Sequence, residues 1–266
     1  MTLSCEVETV PKAPAERERI DKLLVERALA DSRERAQALV LAGLVLADEQ
    51  RIDKPGQPVR RDAVIRVKGA VHPYVGRGGV KLAAALDAFG VDPSGSTFLD
   101  VGASTGGFTD CLLQRGAGRV VAVDVGHNQI DYRLRTDPRV EVREGVNARH
   151  LESSDFDTAF DGAVIDVSFI SLRLILPAVA PLLRPGGVLV ALVKPQFEVG
   201  RSDVGKGGVV RDDAKRHAAL QAIEECAAGL GLAHLGAIES PIAGADGNRE
   251  FLLGLEKPAG VPLHDR

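Results

Sequence analysis

Cysteine is scarce in this 266-residue chain: Cys5, Cys111 and Cys226 stand far apart and share no metal-ligand spacing. A disulfide framework and a cysteine-bound metal are therefore not expected, and reduced thiols in a cytoplasmic protein are. Long apolar runs are also missing. Nothing approaches the roughly 18 apolar residues of a membrane span, so no membrane partner is expected. The opening MTLSCEVETVPKAPAERER lacks the apolar stretch of a secretion signal. No P-loop lysine is present, and the glycine-rich turn near residue 100 does not have the G-x-G-x-x-G spacing of dehydrogenases. What remains is 45% hydrophobic and 26% charged. That composition buries a core, and the length suits one large domain plus a small one.

Charge is uneven. The net is -4, but residues 1–16 carry -2, residues 17–78 carry +4 and residues 79–266 carry -6. A basic module before an acidic body points to a polyanionic partner. Residues 1–16, with Pro11 and Pro14, read as a flexible tail. Ile20, Leu23, Leu24 and Ala28 then recur at helical spacing. Asp31 or Ser32 caps a second predicted helix carrying Ala36, Leu39 and Val40, which Gly43 ends. Two strand-like pieces, Leu44–Ala47 and Val64–Val67, follow, separated by turn residues Pro55, Gly56 and Pro58. Residues 17–68 thus read as a small basic α+β domain, to which Arg27, Lys54, Arg60 and Arg61 add charge. Its opening RIDKLLVER, its second helix SRERAQALV and its strand GLVLA resemble the alpha-L (S4-like) RNA-binding domain. The resemblance implies RNA contacts, assigned to Arg19, Lys22, Arg33 and Arg35, with Arg77 in the Gly-rich linker 69–80.

From residue 81 onward, a short helix (Lys81–Phe89) is predicted before strands and helices alternate. Strands are predicted at Thr97–Val101, Arg119–Val123, Val140–Arg143, Gly162–Asp166 and Gly187–Val193. Helices are predicted at Gly107–Arg115, Asn128–Leu134, Ser171–Leu183 and Asp213–Leu230. Alternation implies a mostly parallel sheet covered on both faces. Two final strands, Leu232–Glu239 and Glu250–Leu255, lack an intervening helix and add one antiparallel strand. The result, over 81–266, is the seven-stranded Rossmann-like layout of S-adenosylmethionine-dependent methyltransferases. Residues 195–212 read as a long structureless loop of the functional kind.

The stretch TFLDVGASTGGFTD decides which nucleotide is bound. Asp100 closes an apolar strand, and Gly102, Ala103, Ser104, Thr105, Gly106 and Gly107 form a small-residue turn before a helix. Backbone can approach a ligand there, and the helix N-terminus favours electron-rich groups. The D-x-G-x-x-x-G pattern is that of methyltransferases. Asp124, ending VVAVD, is placed to take both ribose hydroxyls of an adenosyl group. Asn147 is a candidate contact on the adenine side. The expected cofactor is S-adenosylmethionine, with no metal.

Two further strand ends carry polar residues that a sheet does not need: Asp166 in VIDVSFI and Lys194 in LVALVKPQFE. Here the chain is similar to the TlyA (haemolysin A) family of ribosomal-RNA 2'-O-methyltransferases, whose methyltransferase domain is FtsJ-like. The resemblance rests on YVGRGGVKL, FLDVGASTGGFTD, VVAVDVGHNQ, VNARHL, VIDVSFISL, VKPQFE, VGKGGVVRD and GNREFLL. Gly76 stands where the family commonly has Ser. The resemblance implies a Lys-Asp-Lys-Glu catalytic tetrad, matched by Lys81, Asp166, Lys194 and Glu250. A ribose hydroxyl is a weak acid, and lysine is ordinarily protonated, with a pKa near about 10.4. Burial, a second lysine and a sulfonium lower that value, while the two acids oppose the change. The resemblance further implies a cytidine 2'-hydroxyl in 23S rRNA, extended to 16S rRNA in longer members, with ribosomal subunits as partners. An RNA-binding assembly factor with little catalysis is the alternative. A pore-forming haemolysin has no apolar span to support it.

Overall fold

The computed structural model describes residues 16–27, 29–30, 32–68, 72–200, 203–205, 207–244 and 247–259. The predicted tail (save Glu16), Ala28, the alternative cap Asp31 and linker residues 69–71 lie outside them. Two compact units divide at Pro73 and Tyr74.

The first unit holds β1 (Arg17–Arg19), α1 (Ile20–Glu26), α2 (Arg33–Leu41), β2 (Val45–Ala47), β3 (Gln50–Arg51), β4 (Pro58–Arg60) and β5 (Ile65–Val67). Ser32 caps α2 by accepting from the Arg35 N–H at 3.2 Å, and Gly43 leaves the helix at φ +68°. Ile20, Leu23, Leu24, Ala36, Leu39 and Val40 meet Val45 and Ile52 in one core. β1 pairs with β4, while β3, β2 and β5 form a second small sheet. Strands β1, β3 and β4 escape sequence reading, because RER and QR carry no apolar residue and PVR only Val59 beside a proline, unlike the apolar VLA and IRV of β2 and β5.

The second unit comprises α3 (Gly78–Phe89), β6 (Thr97–Val101), α4 (Gly107–Gln114), β7 (Arg119–Asp124), α5 (Tyr132–Arg135), β8 (Val140–Glu144), β9 (Phe160–Ile165), α6 (Leu176–Val179), β10 (Leu183–Val193), α7 (Pro195–Glu198), α8 (Asp213–Gly229), β11 (Ala233–Glu239) and β12 (Phe251–Glu256). The seven-stranded order is β11-β12-β10-β9-β6-β7-β8. β12 runs antiparallel to both neighbours, and the remaining pairs are parallel. The seven-stranded α/β expectation therefore holds.

Four predicted elements are corrected. α3 starts at Gly78, inside the stretch read as linker. The helix expected from Asn128 shrinks to one turn, since Asn128 sits at φ +56° and Asp131 caps only from Tyr132 onward. The helix expected over 171–183 is broken into short α and 3-10 turns, with Pro177 and Pro181 near the start of the last two. The stretch expected to be structureless opens with α7.

Each face of the sheet carries its own core. Leu99, Val101, Ile165, Ala191, Val193, Phe251 and Leu253 belong to one, with Ile223 and Ala227 of α8. Phe98, Val164, Val190, Leu192 and Leu252 belong to the other, with Leu82 and Leu86 of α3 and Leu112 of α4. Side chains alternate along a strand. The residue after Ile165, the one after Val193 and the one before Phe251 therefore share the α3 face. Those residues are Asp166, Lys194 and Glu250, and α3 itself carries Lys81.

Candidate active site

The strand order reverses between β6 and β9, so the crossovers diverge there and leave a crevice at the carboxyl ends. The Asp166 N–H donates to the Val101 carbonyl at 2.9 Å and closes the base of the crevice. Gly102 turns away at φ +83°, and a Cβ on it would stand 2.7 Å from the Asp166 carbonyl oxygen. Any larger residue there would press backbone against backbone. Ser104, at φ +48°, aims its N–H at Asp124 Oδ2, 2.8 Å away, while the Gly126 N–H reaches Oδ1 at 2.7 Å.

Two cavities meet at this turn. The larger, about 580 Å³, is lined by Asp124, Asn147 and an apolar wall of Val146, Ala148, Ile170 and Ile175. The smaller, about 390 Å³, is lined by Ala103, Thr105 and Gly107 of the turn and by Arg77, Lys81, Lys194, Gln196 and Glu250. Gly102, Ser104, Asp166, Ser168 and Phe169 line both. The donor set of the larger cavity fits an adenosyl group. A strand-end carboxylate faces it, its walls are apolar, and a glycine-bearing turn gives access to backbone.

The four tetrad candidates converge as two ion pairs. Lys81 Nζ lies 2.5 Å from Glu250 Oε2, with both side chains buried. Lys194 Nζ lies 2.6 Å from Asp166 Oδ1 and donates to Ser168 Oγ at 2.8 Å. All four line the smaller cavity, and Asp166 also reaches the larger.

Two turn residues stand elsewhere than expected. Asp100 lines neither cavity, because alternation puts it on the Phe98 face, beneath α4, where it is fully buried. Thr109 Oγ1 donates to its Oδ2 at 2.6 Å. Burial raises the Asp100 carboxyl to about 7, the Thr109 bond opposes the rise, and the charges of Asp166 and Asp124 add to it. Its place is beneath the turn, which it supports from below. Gly106 likewise lines neither cavity; it packs behind the turn near Ile130, at φ +93°. Asn147 does line the larger cavity, although its Oδ1 accepts from the Arg149 N–H at 3.2 Å and caps a short 3-10 turn.

Sequence reading missed three residues here. Ser168 touches Lys194. Phe169 is 91% exposed at φ +64°, with its ring centroid 5.2 Å from that of Phe197. Glu198 is buried, accepting from Ser171 Oγ at 2.5 Å and the Leu172 N–H at 2.8 Å. Burial raises its carboxyl above the usual range, and those two bonds oppose the rise. The available signal was a polar or aromatic residue directly following each rim strand, in VSF and PQFE. Asn248, also buried, accepts from the Val210 N–H at 3.0 Å and donates to the Gly208 carbonyl at 2.9 Å. It ties that segment to the chain leading into Glu250.

In the first unit, the candidate RNA residues are not equivalent. Asp21 is buried and accepts from Arg19 (2.8 and 3.0 Å), Arg33 (3.3 Å) and Gln37 (3.2 Å). The Arg19 guanidinium leads the causes that hold its carboxyl well below the usual range. Arg19 and Arg33 thus help to neutralise a buried acid. Exposed Lys22 pairs with half-buried Glu18 at 3.5 Å. Arg77, in the second unit, is exposed at the mouth of the smaller cavity. No group of three or more potential metal ligands occurs among the described residues, and no described helix is long and apolar enough to cross a membrane.

A seven-stranded sheet of this order, with a glycine turn and a strand-end carboxylate at its switch point, defines a Rossmann-like methyltransferase. Family comparison agrees. The FtsJ-like methyltransferase family matches residues 74–257, and the S4 domain matches residues 18–65. The 16S/23S rRNA (cytidine-2'-O)-methyltransferase TlyA of Mycobacterium tuberculosis is 45% identical over 91% of this chain and 90% of its own. Hemolysin A of Brachyspira hyodysenteriae is 39% identical over 88% of this chain and 98% of its own. A solved structure from Streptococcus thermophilus, named a hemolysin, superposes with a TM-score of 0.72 at 44% identity, covering 94% of this chain and 93% of its own. The chain belongs to the FtsJ-like methyltransferase family, in the group that carries the TlyA and hemolysin A names.

Proposed function

We propose that this protein methylates the 2'-oxygen of a cytidine in 23S rRNA, and in 16S rRNA as well, with S-adenosylmethionine as donor. The observation that carries the reading is the convergence of Lys81, Asp166, Lys194 and Glu250 on one cavity that adjoins a nucleoside-sized one. Bound S-adenosylmethionine supplies a methyl carbon activated by its sulfonium. In this reading Asp124 takes the ribose hydroxyls, Asn147 the base side, and Gly102, Ala103, Ser104, Thr105 and Gly107 the amino-acid portion. Both side-chain oxygens of Asp124 already accept a backbone N–H, which fixes the carboxylate and leaves lone pairs toward the cavity.

Lys194 serves as proton acceptor for the target hydroxyl, oriented by Asp166. The Lys81–Glu250 pair holds the ribose on the other side. Phe169 offers an exposed ring at the junction, on which a base drawn out of its stack can rest. Arg77 meets a phosphate at the cavity mouth, and the S4 domain binds RNA through Arg35 and its neighbours. Most of the rate gain then comes from holding oxygen and methyl carbon in line. The partners are ribosomal RNA and the subunits that contain it, and the location is the cytoplasm.

The test is incubation with methyl-labelled S-adenosylmethionine and, separately, large subunits, small subunits and free rRNA. Label in a cytidine of large-subunit RNA is expected. Folded protein that labels no RNA overturns the reading in favour of an assembly factor.

A further inference from the structure

The Lys194 nitrogen has three positions besides its bond to Cε. One is committed, since Ser168 Oγ accepts a hydrogen bond at 2.8 Å, and the Asp166 carboxylate stands beside the nitrogen as an ion pair at 2.6 Å. An uncharged amine has two hydrogens and one lone pair. With one hydrogen held by Ser168 and the lone pair repelled from the adjacent Asp166 carboxylate, the lone pair is left one favoured direction. Ser168 is itself exposed and lines both cavities, so its bond to Lys194 lies where donor and acceptor must meet.

The segment carrying Ser168 is fixed. Phe169 beside it adopts φ +64°, and its ring meets Phe197 from the Lys194 side. Three residues further on, Ser171 Oγ and the Leu172 N–H donate to buried Glu198 at 2.5 and 2.8 Å. The stretch after β9 and the stretch after β10 are thus pinned beyond the ion pair as well as at it.

Building on the assignment of Lys194 as proton acceptor, we infer that Ser168 is a positioning residue that, together with Asp166, aims the Lys194 lone pair at the target 2'-hydroxyl. Without Ser168 the amine turns about its Cε–Nζ bond, and the lone pair spends part of its time directed elsewhere. When the proton arrives, Ser168 remains an acceptor for the ammonium formed.

The experiment compares the full-length wild type with Ser168→Ala and Ser168→Thr, using labelled S-adenosylmethionine and large ribosomal subunits. Ser168→Ala is expected to lower kcat about tenfold, the scale of one lost orienting hydrogen bond. Affinity for S-adenosylhomocysteine and KM for the subunit stay within twofold, the acid limb of the pH–rate profile moves, and Ser168→Thr restores both. Unchanged kcat and pH profile in Ser168→Ala overturn the inference, as does a loss matched by weaker S-adenosylhomocysteine binding. If the wild type itself labels no RNA, the underlying function fails, and a measurement without cofactor decides the orientation. The Lys194 Nζ hydrogens, followed by nitrogen-15 NMR, are expected to exchange with solvent more slowly in the wild type than in Ser168→Ala. Equal exchange rates overturn the orienting role.

Discussion

The Lys81 ammonium lies 2.5 Å from the Glu250 carboxylate across 169 residues of sequence, and neither side chain is more than 9% exposed. α3, which precedes β6, and the residue leading into β12 are thereby joined in the lining of the smaller cavity.

A buried ion pair is more costly to break than to replace. Glu250→Ala leaves the Lys81 charge unmatched and is expected to destabilise the methyltransferase unit by about 3–5 kcal/mol. The double variant Lys81→Met, Glu250→Leu is expected to recover most of that loss while staying inactive. Urea unfolding of the three proteins gives the comparison. A double variant no more stable than Glu250→Ala would contradict it.

Asp100 sets a pH dependence in the protein without ligand. Its folded-state value of about 7 lies above the unfolded 3.8, so the folded form holds the proton more tightly. Its contribution to stability is therefore greatest below about pH 4 and is lost as pH rises to about 7. Asp100→Asn lacks this titration. Its stability relative to wild type is expected to climb across that window, by at most about 4 kcal/mol. Parallel stability curves for the two proteins would refute this.

Arginines of the S4 domain separate by role. Arg35→Ala is expected to weaken RNA binding and flatten the salt dependence by about 0.7–0.9, with the unfolding midpoint unchanged. Arg19→Ala also withdraws the chief partner of buried Asp21, so it is expected to lower the thermal midpoint as well. Equal thermal midpoints for the two variants would count against that division.

Asn248 joins the 208–210 segment to the chain leading into Glu250. Asn248→Ala is expected to lower kcat about tenfold with S-adenosylhomocysteine affinity retained, because the target side of the site loosens and the donor side does not. Steady-state kinetics and calorimetry read the two quantities. A matched loss of both would place Asn248 in general folding.

Much of this site could be read before folding. Asp124, Asp166 and Lys194 each end an apolar strand, and that pattern places them on one rim. Strand parity then adds Glu250 to the Lys194 face, since it precedes Phe251, the register partner of Val193. Asp100 has the same strand-end position, but on the face covered by α4, where it is buried under Thr109. Ser168 and Phe169 were legible only as a polar and an aromatic residue following a rim strand, not in their placement. Their placement depends on a left-handed residue outside regular structure and on a cross-loop bond to Glu198, neither of which leaves a periodic trace. The broken helix over 171–183 escaped for a related reason: its apolar spacing is helical, and the breaks come from tertiary packing and proline.

The most direct test of ribose methylation by Lys194 is nucleoside mass spectrometry of large-subunit RNA after reaction with wild-type protein and with Lys194→Ala. 2'-O-methylcytidine is expected from the wild type and none from Lys194→Ala, with both proteins binding S-adenosylhomocysteine. Methyl on a base atom, or 2'-O-methylcytidine made equally by Lys194→Ala, would contradict it.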